Sequence, residues 1–240
     1  MEFRNLSCSA AMLLEAIITD VTRMRYGNVC IAAAHRDRAN RLHNPQPDDQ
    51  WVRSIGGLVP GDVVSVDWRQ AQSLPPHTED GTWDRSTFVK RHRLTETELA
   101  DLLSANAFRS VQDAFGAPWI RGTGGNAAFQ PGRGARSLAS ILTRSVRAYP
   151  HFEGVRVDFV DTQDAWTRVP LEDLIVRQHQ NQCPTCASRL SHLLANEFQG
   201  GNAVLRVGLA RQFQAGGHPS ACWMQINHIF LMPAKRRHFV

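Results

Sequence analysis

The chain reads as a mainly β protein with a few short helices, arranged as two tandem OB-like small β-barrels. Three observations carry that reading. Near the N-terminus, short apolar runs follow one another closely, separated by tight-turn chemistry rather than by helix-length spacers. After a glycine-dense middle, the second half resumes the same rhythm. The 240 residues suffice for one large domain or two small ones, and closely spaced strands favour small barrels over βαβ units.

The elements follow in order. Leu13 to Val21 is apolar and rich in Ile and Val, a first strand. Tyr26-Gly27-Asn28 is a turn signal, and Val29 to Ala34 is a second short strand. Pro60-Gly61-Asp62 turns the chain into Val63–Trp68, where apolar and polar residues alternate. A polar loop with Pro75-Pro76 covers Gln70 to Gly81. Thr95, with Glu98 three residues on, is a capping box before an apolar-periodic stretch, so a short helix is expected to end near Asn106. Gly116 to Arg136 is dense in glycine and contains Pro118 and Pro131, which suits a long loop or linker. Strands are expected at Ser137–Val146, Val155–Val160, Trp166–Val169, Asn202–Phe213 and Cys222–Met232. Leu171–Arg177 suits either a strand or a short helix. Cys186–Phe198 places Leu190, Leu193 and Leu194 on one helix face. The expected division is a first barrel over 1–115, a linker over 116–136, and a second barrel over 137–240 with its helix near 186–198. The halves match in outline, although no residue-level repeat links them.

Composition narrows the functional classes. The formal net charge is +5, which points to polyanionic partners. Lys90 and Lys235 are the only lysines among 27 cationic residues. The rest are arginines, planar cations suited to bidentate contacts and stacking. The five cysteines are widely spread, unlike a secreted disulfide framework. Glu15 and Asp20 interrupt the first apolar run, so no signal peptide is read and a cytoplasmic location is expected. No apolar window is long enough for a membrane helix, and no membrane partner is expected.

The run RMRYGNVCIAAA, followed by WVRSIG, GDVVSV and HTEDGTW, resembles the bacterial dual OB-fold domain (DuOB) family. Ser54 stands where that family's pattern has proline after Trp-Ile-Arg. In the second half SILTRSVRAY, VRVDFVD and AVLRVGLARQF are similar to second-barrel strands. The resemblance implies two OB-like barrels and recognition of a nucleic acid or nucleotide-like ligand, in a prokaryotic (antiviral) defence setting. It brings no catalytic residue with it.

The residues themselves suggest a binding face. Arg23, Arg25, Arg36, Arg38, Arg41 and Arg53 cluster in the first strands and loops, near Trp51, Trp68, Trp83 and Phe88, with Lys90, Arg91 and Arg93 beyond. OB-type sites stack bases on exposed aromatics while cations follow phosphates, at roughly 1–3 kcal/mol per stacked base. The candidate ligand residues are Arg23, Arg25, Trp51, Arg53, His77, Lys90 and Arg91. Against this stands a plainer reading, with core tryptophans and solvated arginines.

Other chemistries are weaker. Cys183-Pro184-Thr185-Cys186 is half a zinc knuckle, and a structural zinc would need partners such as Cys222 and His228. Half-buried thiols explain these cysteines more simply, so no cofactor is expected. His77-Thr78-Glu79 matches half a zinc-deaminase signature, but Gln182 precedes Cys183 where that signature has proline. The glycine-rich stretch lacks the Gly-Lys-Ser/Thr of a P-loop. The favoured function is therefore non-catalytic recognition of nucleic acid or a nucleotide-like ligand. The alternatives are an assembly subunit of a larger defence complex, and a metal-dependent hydrolase of nucleic acid centred on His77, Glu79 and Asp80.

Overall fold

The computed structural model describes residues 12–35, 38–116, 119–122, 125–143, 145–151, 154–182, 203–214 and 220–232. The first barrel is built from β1 (Met12–Arg23), β2 (Val29–His35), β3 (Arg38–Asn44), α1 (Asp49–Ser54), β4 (Asp62–Gln70) and β5 (Asp80–Trp83). Its strands run in the order β1-β2-β3-β5-β4, and β4 returns to pair with β1, closing the barrel. The β3–β5 pair is parallel, and the other pairs of this barrel are antiparallel. A five-stranded Greek-key barrel is the OB architecture. A sixth strand, β6 (Val89–Arg93), extends β4 on the β5 side.

The second half repeats this wiring. A meander of β10 (Ser145–His151), β11 (Gly154–Val160) and β12 (Ala165–Pro170) forms one sheet. β9 (Leu138–Thr143) pairs with β13 (Ala203–Leu209), which pairs with β14 (Cys222–Leu231). A parallel bridge between Leu171 and Ile226 links the end of the meander to β14, as β3 meets β5 in the first barrel. Here α4 (Leu174–Gln182) occupies the place of α1. It resolves the open choice at Leu171–Arg177: Asp173 Oδ1 accepts from the N–H groups of Ile175 and Val176 and starts a helix.

Two further helices separate the barrels. α2 (Glu96–Ala105) carries both halves of the Thr95–Glu98 capping box, and Asn106 ends it. α3 (Val111–Phe115) is capped by Ser110 and stops at Gly116, which adopts φ +64°. The glycine-rich stretch departs from the expected loop. It contains β7 (Trp119–Arg121) and β8 (Ala127–Phe129), which pair with each other, and β8 pairs with β14. Ala127, Ala128 and Phe129 are fully buried, so apolar burial outweighs the surrounding glycine there. The helix expected over 186–198 lies outside the described residues.

Two β-bulges decide how the halves meet. In β1 the core residues are Leu14, Ala16 and Ile18, and then Val21. The register with β2 slips between Ile18 and Asp20, so the parity changes and Asp20 leaves the core face. In the β13–β14 pair the register slips beside Arg206, leaving Asn227 as the extra residue. Every residue of β13 is buried. Ala203, Leu205, Val207 and Leu209 enter the second core. On the opposite face, Val204 packs with Leu99 and Leu103 of α2 and with Ile17 of β1.

Arg206, also on that face, donates to Asp20 Oδ2 at 2.9 Å and to the Ser140 hydroxyl at 2.9 Å. Asn227 donates to Asp20 Oδ1 at 2.7 Å. Gly208 makes room for this arrangement, since a Cβ there would sit 2.7 Å from the Asn227 amide. Burial pushes the Asp20 carboxyl up, but the Arg206 charge and the surrounding hydrogen bonds hold it below the usual carboxylate range. Removing one partner of such a buried pair leaves an uncompensated charge, which costs about 3–5 kcal/mol. Asp20→Ala is therefore expected to lose about that much stability in urea unfolding, and Asp20→Ala with Arg206→Met to recover part of it.

Candidate nucleic-acid interface

Between the two barrels lies a cleft of about 780 Å³. Arg23 and Arg25, at and just beyond the end of β1, line it together with Arg41 of β3. Arg156 of β11, Arg177 of α4 and Arg211 after β13 line the opposite side. Against these six arginines the lining holds one acidic residue, Glu172, which accepts from Arg177 Nε at 2.8 Å. Asp80, just behind the lining, pairs with both Arg41 and Arg211, so the excess of positive charge is smaller than the lining count, and what remains acts more strongly in a partly enclosed space than on open surface. Arg25 also lies over the Phe213 ring, 5.8 Å from its centroid.

The floor of the cleft is fixed by a buried network. Arg41 Nη1 donates to Asp80 Oδ1 at 3.0 Å, and Arg41 Nη2 donates to the Ser137 hydroxyl at 2.9 Å. Glu79 accepts from the N–H groups of Ser137 and Leu138 at 2.7 and 3.0 Å, and from the Ser137 hydroxyl. Asp80 also pairs with Arg211. One loop of the first barrel thereby holds the start of β9 in the second. Burial pushes the Asp80 carboxyl up, but the charges of Arg41 and Arg211 keep it below its ordinary value.

His77 sits in this network with 6 % of its surface exposed. Its Nδ1 lies 3.1 Å from Arg41 Nη1. A guanidinium only donates, so Nδ1 must carry the lone pair and Nε2 the proton. That Nε2–H is buried and has no partner among the described residues. Burial, followed by the neighbouring Arg41 and Arg211 charges, lowers the pKa of His77 to about 3. The ring is thus a neutral donor across the physiological range. The neighbouring His43 is also shifted down, by burial and by Arg211.

The candidate residues from the sequence divide between sites. Arg23, Arg25 and His77 line the cleft. Trp51 and Arg53 lie on α1 and do not. The Trp51 ring meets Trp83 edge-on at 4.9 Å and Phe88 at 5.1 Å, beneath the Arg85 guanidinium at 5.6 Å. Arg53 is exposed and pairs with Asp49 one turn back. Lys90 and Arg91 stand on β6, where Lys90 meets Asp62 at 3.0 Å and Arg91 donates to Ser65 at 2.9 Å. Trp68 and Trp83 are core residues, and Arg36 is outside the described residues. Glu79 and Asp80 are both committed to bonds that join the halves. Of the possible metal ligands, Cys222 is buried in the second core and His228 contacts Asp173. Cys183 and Cys186 lie outside the described residues, and no cluster of His, Cys, Asp or Glu among those described could hold a metal. None of the described helices is long and apolar enough to cross a membrane.

Sequence reasoning did not single out Arg156, Arg177 and Arg211. They are far from the first arginine cluster along the chain, and only the packing of the barrels brings them to it. Tyr26 was read only as part of a turn. It is 95 % exposed, at φ 59°, and its neighbours Arg23 and Arg25 line the cleft.

No protein-family model matches the chain, and no curated protein does. Among solved structures, the chain is similar to the p204 HINb domain over 92 % of its length and 100 % of that chain, with 12 % identity and a TM-score of 0.37. It is similar to the Ifi202 HINa domain, solved in complex with 20bp dsDNA, over 93 % of its length and 98 % of that chain, with 7 % identity and a TM-score of 0.35. A murine DNA-binding protein bound with dsDNA is similar over 92 % of this chain and 95 % of its own, with 9 % identity and a TM-score of 0.32.

The neutral state of His77 has a consequence for stability. In the unfolded chain its pKa is about 6.5, and in the folded chain it is about 3. Between those values the unfolded state binds the extra proton, so stability is full above the unfolded value and falls as pH drops through the window, by up to ~1.4 kcal/mol per pH unit. His77→Gln is expected to flatten this limb in denaturant unfolding between pH 6.5 and 4. Parallel curves for the two proteins would show that His77 titrates normally.

Proposed function

We propose that the protein is a nucleic-acid recognition module that holds a strand in the arginine-lined cleft between its barrels. The observation that carries this is the lining itself: six arginines from both barrels face one acidic residue. Guanidinium groups match phosphate oxygens bidentately, and the cleft offers several at once.

Its place in the fold agrees with this reading. An OB barrel binds its ligands on the face of strands 2 and 3 and with the loops joining strands 1–2 and 4–5. In the first barrel those positions supply Cys30, Arg41 and His43, then Arg25, then His77, and all five line the cleft. A volume of about 780 Å³ is of ligand-pocket size, which suits one or two nucleotides of a single strand or a nucleotide-like ligand better than a whole duplex. The DuOB resemblance and a role in defence fit the same reading, as does a cytoplasmic setting. The double-stranded DNA in two of the solved structures named above makes duplex the necessary competitor in any binding test.

Fluorescence anisotropy of the full chain with labelled single-stranded and duplex oligonucleotides tests the proposal. Binding to a single strand is expected to weaken with salt, with a log–log slope of about −0.7 per phosphate contact. Arg23→Ala with Arg25→Ala should lower affinity and reduce that slope by about 1–1.5. Lys90→Ala with Arg91→Ala should leave both unchanged. An absence of binding at low salt would sink the proposal and favour a partner-binding subunit.

A further inference from the structure

A second cavity, of about 630 Å³, adjoins the arginine cleft. His43, His77, Arg211 and Gln212 line both spaces, so these four side chains form a shared wall. The two spaces differ in charge. The charged residues lining the second cavity are Arg211 and Asp80, and they pair with each other. It is therefore close to neutral, whereas the first also takes in Arg23 and Arg25.

The rest of its lining suits a flat, uncharged ring. Pro75, Pro76 and Pro131 supply rigid apolar surface. The loops carrying them are tied together, because the N–H of Gly132 donates to the Pro75 carbonyl at 2.9 Å and the Thr78 hydroxyl donates to the Ala135 carbonyl at 2.9 Å. Asn44, Gln72 and Gln212 also line this cavity. Their side-chain carboxamides make no hydrogen bond within the protein among the described residues. A carboxamide both donates and accepts, which is what the edge of a nucleobase requires. In the shared wall, the buried Nε2–H of His77 has no acceptor among the described residues.

We infer that the second cavity is a nucleobase subsite. The backbone phosphate of a strand lies in the arginine cleft, and the attached base passes the His43–His77–Arg211–Gln212 wall to rest against the prolines. The inference rests on the nucleic-acid reading of the first cleft. It adds that a base, and not the sugar-phosphate chain alone, is recognised.

The test compares two labelled six-nucleotide strands by anisotropy, one bearing thymine bases and one of equal length with abasic sugar-phosphate units throughout. The intact chain is expected to bind the base-bearing strand about tenfold more tightly, in the range of one buried or stacked base. Ala71→Trp, which places a large ring in the second cavity and leaves Arg23 and Arg25 of the first cleft unaltered, should bring the two affinities together while leaving the salt slope for the abasic strand unchanged. Gln72→Ala with Gln212→Ala, at two exposed positions, should narrow the gap in the same direction and gives a reading that does not depend on filling the cavity. Equal affinities in the unaltered protein would overturn the subsite and leave the phosphate cleft standing. So would a gap that persists in both variants, since it would place base recognition elsewhere, such as at Tyr26. Failure of both strands to bind at low salt would overturn the phosphate cleft and, with it, the subsite.

Discussion

The contact between Asp20 and Arg206 sets the geometry on which the cleft depends. Both side chains are buried, and each is of a type that rarely enters a protein interior without a partner. Arg206 reaches the interface by the regular alternation of β13, whereas Asp20 would not be there without a bulge. The extra residue in β1 turns Asp20 away from its own barrel, and the one in β14 brings Asn227 to the same carboxylate. A charged pair with satisfied hydrogen bonds tolerates little sliding, because misalignment strands two ions in a low-dielectric space. Apolar contact alone, as between Val204, Leu99 and Leu103, would hold the halves together without fixing their alignment.

A second tie fixes the other end of the interface. Glu79 holds the first residues of β9 through backbone N–H groups, and Arg41 reaches Ser137 across the same boundary. Leu174, the first residue of α4, enters the core of the first barrel. The space left between these ties is the cleft. Its arginines come from five separate places in the chain, and those of the two halves face one another only because the barrels are held in this relation. The His77–Asp80 loop thus has two jobs, joining the halves and forming the wall between the two cavities.

Much of the strand content was legible because it followed local rules. β1, β2 and β4 are apolar or alternating runs bounded by turn residues, and the α2 cap is a short-range pairing of Thr95 with Glu98. β3 was not legible, since RANRLHN carries few apolar residues and its buried arginine looks like a surface residue. β7 and β8 were hidden by the glycines around them, and their burial depends on β14, about a hundred residues later. For the site, Arg23, Arg25 and His77 could be picked out because they lie near other cations or on a polar loop. Arg211 could not, since its role follows from its meeting with Asp80, 131 residues away. Trp51 looked like a stacking platform from composition, and packing against Trp83 and Phe88 accounts for its ring instead. Bulges leave no local signature, so the relation of the two halves was beyond reach of pattern alone.

The basic strand β6 matters in a different way. All five of its residues are exposed, and β4 is the one strand it pairs with among those described. Its outer edge therefore offers open backbone donors and acceptors, the kind of template on which a second copy of a β protein can add itself. Lys90, Arg91, His92 and Arg93 follow one another along that edge. A like edge from another copy would bring the same cations against them, and Asp62, which pairs with Lys90 and Arg93, is the counterion at hand for the whole row. The charge repulsion along VKRHR thus works against edge-to-edge pairing of two copies, as charged side chains do on open sheet edges generally.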